Sequence, residues 1–76
     1  MNEQTQYQLV IKAYDKLGAL ERILRIIRHR GGHIKSMQMQ TIENNILIMT
    51  LILTTERSFS TLQNQVAKLE DVIVIE

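Results

Sequence analysis

The sequence predicts an α+β domain in which a four-stranded antiparallel sheet carries two helices on one face, in the order βαββαβ. Its apolar residues switch between a period of two, typical of strands, and a period near 3.6, typical of helices. Each helical segment joins two strand-like segments, and right-handed crossovers place both helices on the same face of the sheet. The 76 residues correspond to a single domain, 1–76, in which the polar residues 1–6 are expected to be flexible.

The first half of the chain contains a strand, a helix and a second strand. Residues 7–14 alternate between apolar and more polar positions, which predicts the first strand. From Leu20 onward, apolar residues recur at i, i+3, i+4 and i+7, as on the buried side of an amphipathic helix. Gly31 is expected to end this helix, because glycine adopts a left-handed conformation at little cost. Residues 33–42 alternate again and predict the second strand.

The second half begins with a hairpin. Residues 43–45 (ENN) are typical of a turn, and they connect the second strand to a third at residues 46–54. Thr55 or Ser58 can cap the following helix, which leads into a last strand near residues 71–76.

The third strand is apolar on both faces, although two helices can cover only one face of the sheet. We therefore predict that Ile46, Ile48 and Ile52, with Val10 nearby, form an interface on the uncovered face. The alternative is that these β-branched residues are present only for their strand propensity.

The composition argues against catalysis and against a metal site. There is no cysteine, which excludes disulfides, thiolate zinc sites and cysteine nucleophiles. His29 and His33 are four residues apart, but Gly31 and Gly32 end the helix between them and no third ligand is evident. No arrangement typical of an enzyme active site is present. The longest apolar run, residues 46–53, is far shorter than the ~20 residues of a membrane helix, so a cytoplasmic, membrane-free domain is expected.

Positive charge is concentrated in the first half of the chain. Residues 12–35 contain seven cationic and two anionic residues, a net +5, while the rest of the chain carries −4. A basic face can bind phosphate, but one Phe, two Tyr and no Trp are too few to stack nucleic-acid bases. We therefore expect no nucleic-acid partner, and Arg22, Arg25 and Arg28 are predicted to contact solvent or an acidic protein.

Three short segments resemble a known family. Residues 18–23 (GALERI) are similar to the G-A-L-x-R-[VI] signature of ACT domains. Residues 30–36 (RGGHIKS) resemble the R-G-[YF]-x-I-x-S segment of regulatory small subunits of acetolactate synthase, and residues 68–72 (KLEDV) match the K-L-x-D-V ending of that group. The short length and residues 20–31 are most similar to subunits of the isozyme II type.

This resemblance implies a ferredoxin-like ACT fold that forms a homodimer and binds a large catalytic subunit. It implies that thiamine diphosphate, magnesium and FAD are bound by the large subunit, and that this chain binds no cofactor. The implied function is to stabilise the active conformation of an enzyme of valine, leucine and isoleucine biosynthesis. The alternative is a free-standing ACT module that senses an amino acid.

The resemblance also implies positions for an amino-acid effector. The corresponding residues are Asp15, Gly18, Ala19, Leu20, His33 and Ile34. In valine-responsive relatives two asparagines stand where this chain has Asp15 and His33. An anionic Asp15 would repel an effector carboxylate, and a histidine offers fewer hydrogen bonds than an amide. We therefore expect weak or absent valine feedback, with partner contacts at Met37, Met39 and the apolar sheet face.

Overall fold

The computed structural model describes residues 5–76 and has the predicted βαββαβ order. The strands are β1 (Gln6–Tyr14), β2 (Gly32–Ile42), β3 (Ile46–Thr55) and β4 (Val72–Ile75), and the helices are α1 (Ala19–His29) and α2 (Phe59–Ala67). The α+β, ferredoxin-like class is confirmed. Residues 1–4 of the expected flexible segment lie outside the described residues, while Gln6 already belongs to β1.

All neighbouring strands in the sheet are antiparallel, and their order is β2-β3-β1-β4. The two edges of the sheet differ. Strand β2 is 11 residues long, whereas β4 has only four. Both edge pairings shift register once, β2–β3 between Ile34 and Ser36 and β1–β4 between Lys12 and Ala13. The long edge strand therefore exposes far more unpaired backbone than the short one.

The core lies between the sheet and the two helices. Alternate residues of β1 and β3 point toward the helices, so the period of two in the sequence correctly identified the buried face. The fully buried large side chains are Leu9, Ile11, Ile23, Ile27, Met49, Leu51, Leu53, Leu62 and Val66. Tyr7 and Phe59 add a stacked ring pair, with 4.3 Å between the ring centroids, that joins the start of β1 to the start of α2.

Local backbone chemistry sets the ends of the helices. Gly31 has φ 87° just beyond α1, as predicted, and a Cβ there would approach Arg57, which donates a hydrogen bond to the carbonyl of His29. Of the two predicted caps for α2, Ser58 is the one used. Its Oγ accepts the Thr61 N–H at 3.2 Å, while Thr55 instead accepts the N–H of Arg57.

Candidate functional site

The loop between β1 and α1 is the first candidate region. Gly18 occupies the N-cap position of α1 with φ 82° and provides no side-chain cap. The N–H of Ala19 is used locally, donating to the carbonyl of Lys16 at 3.0 Å, and the Gly18 carbonyl accepts the Arg22 N–H. Leu17 at the loop tip is 99% exposed, so this loop projects an apolar side chain into solvent. Gly18 is therefore left-handed, a conformation that glycine adopts at little cost.

Arg22 holds this loop against the other end of the chain. Its Nε donates to Asp71 Oδ2 at 2.8 Å, its Nη2 lies 2.7 Å from the same oxygen, and Nη2 also donates to the Leu17 carbonyl at 3.2 Å. A Cβ on Gly18 would lie 2.7 Å from Arg22 Nη1, so a side chain at this position would make the guanidinium shift. Arg22 is therefore engaged within the chain, and the adjacent carboxylates at 70–71 are not both solvated, because Asp71 is buried.

Sequence reasoning missed this ion pair, although both of its members lie in motifs that had been noted. Arg22 belongs to the segment GALERI, and Asp71 belongs to the segment KLEDV. Correlated substitutions at positions 22 and 71 among related sequences would be the signal of this ion pair. Helical spacing favours a pair between Glu21 and Arg25, which are four residues apart. The ion pair that α1 forms within residues 5–76 is instead the one between Arg22 and Asp71.

Asp15 lies at the end of the sheet that contains the β2–β3 turn. Its Oδ2 accepts a hydrogen bond from Thr41 Oγ1 at 3.3 Å, and its N–H donates to the Asn45 carbonyl at 2.8 Å. Asn44 and Asn45 both have positive φ, which confirms the predicted asparagine turn. The Asp15 carboxylate therefore helps to fix the β2–β3 turn next to the glycine loop.

His33 and Ile34 lie at the opposite end of β2 from Asp15. His33 pairs with Thr54, while Thr41, the partner of Asp15, pairs with Leu47 near the hairpin. Eight residues of extended strand between His33 and Thr41 span about 26 Å. Within one chain the predicted effector residues thus form two groups: the loop group of Asp15, Gly18, Ala19 and Leu20, and the strand group of His33 and Ile34. A single ligand cannot contact both groups of the same chain.

The uncovered face of the sheet has an apolar centre. Ile46, Ile48 and Ile52 lie on this face and are half-buried by neighbouring strands. Strand pairing places Val10 opposite Thr50, between the rows of Ile48 and Ile52, so the predicted patch is contiguous. Polar residues flank it on both sides: Gln8, Lys12, Gln38 and Gln40.

Met37 and Met39 do not share that face. They pair with the buried Leu51 and Met49, so their side chains point to the helix side of the sheet. Their exposed fractions are nevertheless 42% and 47%, because they lie on the outermost strand, beyond the helices. The predicted contact residues therefore form two separate apolar surfaces on opposite sides of the sheet.

The outer surface of α1 carries cations above apolar side chains. A groove of about 380 Å³ is lined by Arg22, Arg25, Ile26, His29 and Leu69. A second groove on the other flank of the helix is lined by Glu21, Leu24, Arg25, Arg28 and His29. Within residues 5–76, Arg25 and Arg28 make no side-chain hydrogen bond or ion pair, in contrast to Arg22.

Residues 5–76 contain no group of three or more histidine or acidic side chains placed to share a metal ion. Neither helix is both long enough and apolar enough to cross a lipid bilayer.

Comparison with known proteins agrees with this geometry. A family described as the ACT domain matches residues 15–75. The small subunits of acetolactate synthase isozyme 2 from Escherichia coli and Shigella flexneri are 41% identical over 69 residues, which cover 88% of this chain and 78% of each relative. The structure is also similar to the ACT domain of GTP pyrophosphokinase from Chlorobium tepidum, with a TM-score of 0.82, 18% identity and 97% of both chains covered. A homoserine dehydrogenase from Thiobacillus denitrificans has a TM-score of 0.73 and 21% identity, covering 97% of this chain and 17% of that enzyme. The last two similarities concern the fold.

Proposed function

This chain belongs to the ACT domain family and, within it, to the small subunits of acetolactate synthase, and we propose that it is the non-catalytic regulatory subunit of that enzyme. The observation that carries the proposal is the 41% identity to isozyme 2 small subunits across 88% of the chain. The structure supports it, because two of the three segments that carry the resemblance, at residues 18–23 and 68–72, are joined by the ion pair of Arg22 and Asp71.

In this proposal the chain acts through binding. The large subunit would condense pyruvate with pyruvate or 2-oxobutanoate, and it would hold the thiamine diphosphate, magnesium and FAD. The small subunit can raise activity only if it binds the active conformation of the large subunit more tightly than the inactive one. The chain would meet its partner in the cytoplasm.

A second copy of the chain is part of the proposal. The loop group around Asp15 and the strand group around His33 are about 26 Å apart in one chain. A two-fold axis beside the long β2 edge would bring the loop group of one copy toward the strand group of the other. Any amino-acid effector would then bind between the two copies. We expect valine to bind there weakly or not at all, because Asp15 is anionic and is already hydrogen-bonded to Thr41.

Reconstitution tests this function. The purified chain is titrated into its large subunit, supplied with thiamine diphosphate, magnesium and FAD, while acetolactate formation is followed with and without valine. Saturable stimulation that valine leaves unchanged is expected. If the chain does not stimulate the large subunit, the proposed function is wrong. A free-standing amino-acid sensor would instead show a saturable thermal shift with one amino acid in the absence of any partner.

A further inference from the structure

We infer that the outer surface of α1, with the groove between Ile26 and Leu69, docks an acidic segment of the large subunit that inserts an apolar side chain. This inference rests on the proposed function and adds to it the surface and the chemistry of the contact. It does not involve the apolar sheet face or the β2 edge, which remain available to a second copy.

The floor of the groove is apolar and only partly covered. Ile26 and Leu69 are half-buried and pack against the edge of the core, and the groove of about 380 Å³ opens above them. Ile26 lies outside the fully buried stripe of α1, whose members are Ala19, Ile23 and Ile27. An apolar side chain from a partner would remove this floor from water, at roughly 25 cal/mol per Å² buried.

The rim of the groove carries two arginines, Arg22 and Arg25, beside His29. Arg28 lies about one turn beyond Arg25, on the flank of α1 that Glu21 also lines, so arginines outnumber the single carboxylate on this surface. Arg22 is already paired with Asp71, and Arg30 donates to Gln65 at 3.2 Å, so these two arginines position other parts of the chain. Arg25 and Arg28 have no such contact within residues 5–76. Two guanidinium groups three residues apart can contact carboxylates from one partner segment.

Other occupants fit this surface less well. Two copies meeting through α1 in a two-fold contact would place the arginines of one copy against those of the other, which is unfavourable. A nucleic-acid backbone would satisfy the arginines but would leave Ile26 and Leu69 without an apolar partner. An acidic protein segment with an apolar side chain matches both the rim and the floor.

The test compares a change of charge on this surface with the same change elsewhere. The variant Arg25→Gln with Arg28→Gln is compared with Thr61→Glu with Asn64→Asp, which changes the net charge by the same amount on exposed residues of α2. Binding to the reconstituted large subunit is measured by calorimetry, and stimulation of acetolactate formation is measured alongside. We expect the arginine variant to weaken binding at least about tenfold and the control variant on α2 to change it less than about twofold. Both variants should keep the wild-type circular dichroism spectrum and melting temperature, because all four residues are exposed.

Several results would overturn the inference. If the arginine variant binds and stimulates like the wild type, the docking surface lies elsewhere while the regulatory function stands. Equal weakening by both variants would indicate general electrostatic attraction. Binding of a short duplex DNA or RNA that only the arginine variant loses would assign the surface to nucleic acid. If the unmodified chain fails to stimulate the large subunit, the proposed function itself fails, which is a separate outcome.

Discussion

Two nitrogens of Arg22 contact one carboxylate oxygen of Asp71 across a sequence separation of 49 residues. The Asp71 side chain is 7% exposed, whereas that of Arg22 is 48% exposed. The pair connects the glycine loop to the turn before β4, and the Arg22 contact with the Leu17 carbonyl adds the loop tip to the same cluster. The loop that carries Gly18 is therefore held in place by a residue at the far end of the chain.

The first prediction concerns this pair. Arg22→Met should lower the free energy of unfolding by about 2 kcal/mol, because it leaves a nearly buried carboxylate without its partner. This loss of unfolding free energy is smaller than the loss expected on breaking a fully buried ion pair, because Arg22 is half exposed and solvent screens the interaction. Urea denaturation measures it, with Arg25→Met as the matched control, which should change stability by less than about 0.5 kcal/mol. Adding Asp71→Asn to Arg22→Met should recover part of the loss, and equal losses for the two arginine variants would contradict this account.

The second prediction concerns the start of α2. Ser58→Ala should lower the free energy of unfolding by about 1 kcal/mol, because it removes the oxygen that accepts the Thr61 N–H. Thr55→Ala is the comparison, since Thr55 accepts only the N–H of Arg57 and does not contact the helix. Chemical denaturation of both variants should rank Ser58→Ala as the more damaging. The reverse ranking would mean that Thr55 acts as the cap.

The third prediction concerns the uncovered sheet face. Ile48→Asp should break an assembly that covers this face while leaving the monomer folded, because a carboxylate in an apolar interface must be desolvated without a partner. Sedimentation velocity reports whether a second copy of the chain covers this face. Stimulation of acetolactate formation reports whether the large subunit covers it. Asn64→Asp on α2 adds the same charge on the helix side, where Asn64 is exposed, and should change neither measurement. If Ile48→Asp also changes neither, the patch is present only for strand propensity.

The fourth prediction concerns valine. The double variant Asp15→Asn with His33→Asn places an amide at each of the two proposed effector positions and removes the anionic charge. We expect valine to inhibit the reconstituted complex of this variant at least about fivefold, the lower end of typical allosteric coupling. Asp15→Ala with His33→Ala should remain insensitive, since it removes the charge without supplying amides. Insensitivity of the asparagine variant would show that the two positions do not form an effector site.

The order of the elements and the core could be predicted from the sequence because both depend on local periodicity. The alternation in β1 and the helical stripe from Leu20 identify buried faces without any knowledge of the neighbouring elements. The side of the sheet on which Met37 and Met39 lie depends instead on strand pairing. They pair with the buried Leu51 and Met49, which places them on the helix side. The alternation in β2 separates Met37 and Met39 from the glutamines between them, but it does not say which of the two faces the helices cover.

Long-range contacts account for what the sequence could not predict about the candidate site. Adjacent carboxylates at a helix end are typically solvated, and only the folded chain shows that Asp71 is buried against Arg22. Asp15 and His33 are separated along the sheet because β2 runs between the hairpin turn and the end of α1. The spacing of residues along the sequence does not indicate how far apart Asp15 and His33 lie in the folded chain.

The unequal edges of the sheet bear on how large an assembly can grow. Strand β2 presents a long row of unpaired backbone groups, whereas β4 is only four residues long. Two chains joined along β2 would leave only short, irregular borders facing outward, and these recruit further chains poorly. Assembly through β2 would therefore stop at two chains, so an exposed edge strand on each chain does not lead to fibres.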